Sequence, residues 1–136
     1  MQTCDSVFDW PVRVYYEDTD AGGIVFYANY LRFFERARTE YLRSMGAAQQ
    51  TLKQETGLMF VVKLCQLDYV APAVLDDEIV LRMQISQLGR ASMTFAQTAW
   101  RGAQLLVSAE VKVVCVQSQT MKPVAIPDFI RQQLKV

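Results

Sequence analysis

Three carboxylates, Glu17, Asp18 and Asp20, stand just before Gly22-Gly23 and the run Ile24-Val25-Phe26-Tyr27-Ala28-Asn29-Tyr30. The stretch reads as the end of a strand, a glycine-broken loop and the start of a long amphipathic helix. A helix start leaves backbone N–H groups without intrahelical acceptors and carries partial positive charge. Such donors can hold an oxyanion or polarise a carbonyl. A carboxylate in the adjoining loop can attack the carbonyl carbon or take a proton from water. The chain has no histidine. That removes Ser-His-Asp and Cys-His catalysis and every His-dependent zinc site, and leaves acid–base work to Asp, Glu, Tyr, Lys or water.

The loop needs rigid elements on both sides. Before it, the spacing predicts a strand over about Val12–Glu17, with Pro11 ahead of it, residues 1–11 as a lead-in, and Val12, Val14 and Tyr16 on one face. After the loop Asp18–Val25, a helix runs from about Tyr27–Asn29 to about Met45, where Gly46 stops it. Tyr30, Phe33, Phe34, Ala37, Tyr41 and Met45 recur at i+3 and i+4, which marks this as the central buried helix. Arg38 falls at the edge of that arc, where a carboxylate would pair with it. Arg32, Glu35, Arg36, Glu40 and Arg43 lie elsewhere and can pair along the surface. A shorter helix is expected over Ala47–Glu55, ended by Gly57.

From Leu58 the period becomes strand-like. Phe60, Val62 and Leu64 alternate, then Cys65, Leu67 and Tyr69 alternate in the opposite phase, which implies a bulge near Leu64. Turns are expected at Asp76-Asp77, Gly89-Arg90 and Gly102-Ala103. They separate strands through Ile79–Ile85, Ala91–Trp100 and Leu105–Val116 that form an antiparallel meander. Asp128 would cap a short last helix. With no internal repeat or linker, residues 1–136 read as a single α+β domain, a curved antiparallel sheet wrapped around one long central helix.

Bulk composition narrows the function classes. The 136 residues are 51% hydrophobic, enough for a core without disulfides. Lys+Arg and Asp+Glu balance at 14 each, so no overall charge favours nucleic acid. No apolar run approaches the roughly 20 residues of a membrane helix. Met1–Trp10 lacks the basic start and apolar core of a signal peptide. Cys4, Cys65 and Cys115 have no metal-ligand spacing, and an odd count without an export signal points to reduced thiols and the cytoplasm.

The run Tyr16–Tyr30 resembles the signature of hotdog-fold acyl-CoA thioesterases, most closely the 4-hydroxybenzoyl-CoA thioesterase class. Along almost the whole chain the similarity is to the Tol–Pal-associated (YbgC-type) thioesterases. Trp10-Pro11-Val12-Arg13-Val14, Phe34-Glu35-Arg36-Ala37-Arg38-Thr39-Glu40, Tyr69-Val70-Ala71-Pro72-Ala73 and Met121-Lys122-Pro123 corroborate it. The resemblance implies a hotdog fold and an acyl-CoA thioester hydrolase. Its subunits join sheets edge to edge as a homodimer or homotetramer, with active sites at the dimer interface. It implies that Asp20 is the catalytic carboxylate, as nucleophile or general base, and that the Tyr27 backbone N–H polarises the thioester carbonyl. Tyr16 matches a tyrosine often placed near the carboxylate. Many YbgC-type members carry a histidine where this chain has Tyr27; a backbone N–H is unaffected by that difference.

Blander readings stand beside these. On spacing alone, Asp20 is more readily a turn-former; the resemblance favours catalysis. Asp18 reads as structural, bonding loop amides. Gly23 serves backbone geometry and close approach of substrate. Glu35 reads as a surface ion-pair member, and Cys65 and Cys115 as small buried apolar groups. For the phosphates of coenzyme A the candidates are Lys63 and Arg90, then Arg82 and Lys122, each equally a solvated charge. Neither metal nor cofactor is expected, coenzyme A being part of the substrate. An acyl carrier protein is a further candidate partner, and the family implies a position beside the inner membrane. The competing function is a non-catalytic acyl-CoA or acyl-carrier binding dimer, or an envelope-associated scaffold.

Overall fold

A computed structural model describes residues 7–134. Strand β1 (Phe8–Arg13) leads through the loop into helix α1 (Asn29–Ser44) and the shorter α2 (Gln49–Thr56). Strands β2 (Leu58–Tyr69), β3 (Glu78–Leu88), β4 (Ser92–Arg101) and β5 (Gln104–Gln117) follow, then one helical turn, α3 (Asp128–Arg131). The strands form a single antiparallel sheet in the order β1-β3-β4-β5-β2. β3, β4 and β5 are the expected meander, and β1 and β2 are its two edges. Helix α1 lies against the inner face at β1 and β3, the hotdog arrangement of sheet around helix.

Periodicity dictates this packing. Phe33, Phe34 and Ala37 on α1 share one buried cluster with Ile79, Leu81, Met83 and Ile85 on β3, and with Phe95 on β4. Those β3 residues occupy alternate positions, so all four point to one side. Gly46 stops α1 with φ +75°, a left-handed conformation that a β-carbon disfavours. The register of β2 on β5 slips between Val62 and Leu64, the expected bulge, leaving Lys63 as the extra residue.

The chain corrects some expectations. β1 begins at Phe8 and contains Pro11, which faces Val80 across the ladder. An edge strand tolerates proline because one side of it has no partner strand. Val12 and Val14 are buried as expected, but the strand ends at Arg13 and Tyr16–Asp18 form a single 3₁₀ turn. The Asp18 carboxylate causes this by accepting the Tyr15 N–H at 2.8 Å and folding the chain back. Tyr16 is therefore 83% exposed rather than facing the core. Asp128 is the first residue of α3, after Pro127, and makes no side-chain cap bond. Among the described residues no helix is long and apolar enough to cross a membrane. Cys4 lies outside the described residues.

Candidate active site

The loop between β1 and α1 is a small hairpin with a carboxylate at its tip. Thr19 pairs with Val25, the Asp20 N–H donates to the Ile24 carbonyl at 2.9 Å, and the Gly23 N–H donates to the Asp20 carbonyl at 3.0 Å. The Gly22 N–H donates to Asp20 Oδ1 at 2.8 Å, while no hydrogen bond among the described residues uses Oδ2. The two glycines serve this turn in different ways. A β-carbon at Gly22 would stand 3.2 Å from Asp20 Oδ1, and Gly23 adopts φ +82°. The hairpin is docked on the β2–β3 connection, where Val25 N–H donates to the Ala73 carbonyl at 2.8 Å and Ile24 pairs with Val74.

Asp18 ties the hairpin to the helix, the structural part expected of it. Its Oδ1 accepts from Asn29 Nδ2 at 2.9 Å, and its carbonyl accepts the Phe26 N–H at 2.9 Å. Helix α1 has no side-chain cap at its N-terminus and no acidic residue in its first turn. The carboxylate nearest its positive end is therefore Asp18, held from the loop on the Asn29 side chain. Just before the helix, the Tyr27 N–H donates to no acceptor among the described residues. The helix start opens on a cleft of about 320 Å³ lined by Ile24, Val25, Tyr27, Tyr30, Tyr69, Val70, Ala71 and Pro72. Burial pushes the Tyr30 phenol above its ordinary range, so it stays neutral in this apolar wall. A carboxylate, a free N–H at a helix start and an apolar cleft are the parts an acyl-transfer site requires.

Comparison with known proteins settles the family. Residues 14–134 match the Thioesterase-like superfamily. The chain belongs to that superfamily. It is 50% identical to the acyl-CoA thioesterase YbgC of Haemophilus influenzae, over 93% of each chain. It is 46% identical to the acyl-CoA thioester hydrolase YbgC of Escherichia coli O157:H7, over 96% of this chain and 97% of that one. The crystal structure of a probable thioesterase from Bartonella henselae superposes with a TM-score of 0.84 at 34% identity, covering 89% of this chain and 99% of the other.

This thioesterase-like chain brings some sequence-expected residues together and scatters others. Asp20, Gly23 and Tyr27 share the loop and helix start. Tyr16 is directed to solvent, and its phenol makes no hydrogen bond to Asp20 or to any other described residue. Lys63 stands exposed at the β2 bulge. Arg90 sits in the β3–β4 turn, and the 11 residues of β3 place it roughly 35 Å from the end where the Asp20 loop docks. Arg82 is already engaged, its guanidinium on the Asp9 carboxylate at 2.9 and 3.1 Å. Among the described residues no three His, Cys, Asp or Glu side chains gather as a metal site.

Two of the pairings on α1 also differ from expectation. Arg38 is 8% exposed and meets no carboxylate; its Nη1 donates to Gln97 Oε1 at 2.9 Å, and Gln97 Nε2 donates to the Phe34 carbonyl at 3.1 Å. The register of β4 aims Gln97 inward, beneath the helix, so a neutral acceptor meets the guanidinium. Burial pulls the Arg38 pKa below its ordinary value, against the opposing pull of Cys65 and Glu35. Glu35 is exposed and has no ion pair among the described residues, whereas Glu40 and Arg43 do pair at 2.7 Å. Cys115 is buried as expected, but Cys65 is exposed on β2, where α1 leaves the strand uncovered. Tyr69, which the sequence offers only as an alternating strand residue and the start of a corroborating stretch, belongs to the site: its hydroxyl donates to the Tyr27 carbonyl at 2.8 Å. Its type gives no signal of a role at the site, because an alternating aromatic on a strand reads as core.

Proposed function

We propose that this chain hydrolyses acyl-CoA thioesters to a carboxylic acid and coenzyme A. The observation that carries it is that one short segment holds both a carboxylate with an oxygen left free at a loop tip and, at the helix start that follows, an N–H without an acceptor among the described residues. The thioester carbonyl oxygen takes the Tyr27 N–H, which stabilises the charge that develops there. Asp20 then attacks the carbonyl carbon, giving an acyl anhydride that water opens, or it takes a proton from a water that attacks directly. Either route expels the CoA thiolate, a good leaving group, so no imidazole is required. The apolar cleft beside Tyr27 receives the acyl-bearing arm. The names of the Haemophilus influenzae and Escherichia coli relatives support the acyl-CoA class.

The working unit in this reading is a homodimer or a homotetramer built from it. β2 is a long edge strand with an apolar inner face in the open, the kind of edge that proteins cover. Antiparallel pairing of β2 with its copy turns the far end of one subunit towards the Asp20 loop of the other. That brings Lys63 and Arg90 within reach of CoA phosphates across the interface. Tyr16 takes no chemical part in this scheme.

The test is CoA release, followed by free-thiol titration, over short, medium, long and aromatic acyl-CoAs, with Asp20→Asn alongside. At least one ester is hydrolysed, and the variant loses roughly 10²-fold or more, the scale of an acid–base group. Asparagine keeps an oxygen for the Gly22 N–H, so the fold survives. A folded wild type that hydrolyses no ester overturns the activity. Unchanged turnover by Asp20→Asn overturns the role of Asp20 alone.

A further inference from the structure

The helix start is clamped by a side chain from outside both the loop and the helix. Tyr69 closes β2, and its hydroxyl donates to the Tyr27 carbonyl at 2.8 Å. At this end of α1 the Leu31 N–H turns to the Ala28 carbonyl at 3.1 Å, so the Tyr27 carbonyl is left for Tyr69. The peptide between Tyr27 and Ala28 is therefore held at its oxygen from the sheet. The preceding peptide, between Phe26 and Tyr27, is held at its oxygen by the Asn29 N–H at 2.8 Å. Both peptides leave their nitrogens, the Tyr27 and Ala28 N–H groups, without an acceptor among the described residues. A carbonyl that accepts a hydrogen bond polarises the N–H of its own peptide. Two consecutive peptides fixed at oxygen and open at nitrogen are preorganised dipoles, as a developing oxyanion requires.

We propose that Tyr69 is a positioning residue for this site: by fixing the Tyr27–Ala28 peptide it presents the Ala28 N–H, beside the Tyr27 N–H, as a second donor to the thioester oxygen. The inference rests on the thioesterase reading above and adds a donor and its support to it. The ring geometry holds the phenol in place, edge-on to Tyr27 at 6.3 Å and to Tyr30 at 5.8 Å between centroids. Burial pushes the Tyr69 phenol up, with Cys65 and Tyr27 adding to the shift, so it remains protonated and able to donate. The ring and the hydroxyl have separable work. The ring is part of the cleft wall, and the one hydrogen bond of the hydroxyl among the described residues is to the peptide.

Steady-state kinetics on the best ester, for wild type, Tyr69→Phe and Tyr69→Leu, test this. Tyr69→Phe keeps the ring and loses about 3- to 10-fold in kcat, the scale of one hydrogen bond, with KM unchanged. Its backbone nitrogen resonance at Ala28 shifts, and its melting temperature stays with that of the wild type because the side chain is half-exposed. Tyr69→Leu loses the same factor in kcat and also raises KM. A Tyr69→Phe variant with wild-type kcat, or one whose loss lies wholly in KM, overturns the proposal while leaving the thioesterase reading intact. A wild type inactive on every ester overturns that reading and this proposal with it.

Discussion

β3 and β2 carry the same apolar alternation and meet opposite fates. On β3 the inward side chains Ile79, Leu81, Met83 and Ile85 are no more than 3% exposed. On β2 the inward Val62 and Tyr69 are 51% and 46% exposed, and Cys65 is exposed with them. The difference is cover. Helix α1 crosses the sheet at β1 and β3, and α2 reaches only the start of β2, where Phe60 is buried. Val62, Cys65 and Tyr69 border the two clefts beside α1, one at Tyr27 and Tyr69, the other of about 290 Å³ at Leu31, Arg38, Val62 and Cys65, while Leu67 packs half-buried on the core. Alternation thus states that a strand face will be covered, not what covers it. The candidate site lies where cover from within the chain stops.

Truncations on the two strands sharpen that comparison. Leu81→Ala in the covered part should cost about 3 kcal/mol of stability in urea unfolding, the scale of a core cavity. Val62→Ala on the open part should cost within about 0.5 kcal/mol at concentrations where the chain is monomeric, as surface changes do. It should instead weaken self-association in sedimentation. Equal losses in the two variants would break the comparison.

The seam between the two regions is Arg38 with Gln97. Gln97→Leu leaves a buried guanidinium without its acceptor, at a cost of about 2 kcal/mol. The double change Arg38→Met with Gln97→Leu should recover much of that, since it removes the stranded charge. A double variant as unstable as the sum of the singles would show that the two do not act as a unit.

A smaller loss than at Leu81 or Gln97 is expected at the anchor of the Asp20 hairpin. Asp77 Oδ2 accepts the Val74 N–H at 2.9 Å and Arg101 Nη1 at 2.7 Å, beside the segment that docks Ile24 and Val25. Burial alone would raise the Asp77 pKa, but the Val74 N–H and the Arg101 guanidinium outweigh it and hold the carboxyl below its ordinary value. A folded-state pKa below the unfolded one gives stability above the unfolded pKa, lost as pH falls through the folded one. Asp77→Asn should therefore be less stable than wild type by about 1 kcal/mol near pH 7, Arg101 being partly exposed. The gap should close in acid below the folded pKa of Asp77. A gap independent of pH would assign Asp77 a purely geometric part.

Where local pattern governs, the chain was legible. The extent of α1, the glycine stops at Gly46 and Gly57, the β2 bulge and the two meander turns all follow from short-range periodicity and turn chemistry. β1 starts earlier than its pattern implies because Pro11 resembles a boundary, and only the order of strands makes it an edge residue. The Asp18 carboxylate, three residues from Tyr15, turned the expected strand end into a 3₁₀ turn. Asp20 and Tyr27 were singled out by motif resemblance joined to the chemistry of a helix start, since spacing alone could not separate a catalytic aspartate from a turn-former.

By itself, then, the sequence determined which faces are apolar, where the elements break, and that a carboxylate stands before a helix start. Those properties depend on neighbours within a few residues. The tertiary structure alone decided that Arg38 meets Gln97, 59 residues away, and that Tyr69 clamps Tyr27 across 42 residues. It also decided that β2 is left half open. Such pairings depend on strand order and on where one helix crosses the sheet, and neither is written in the period of any single element.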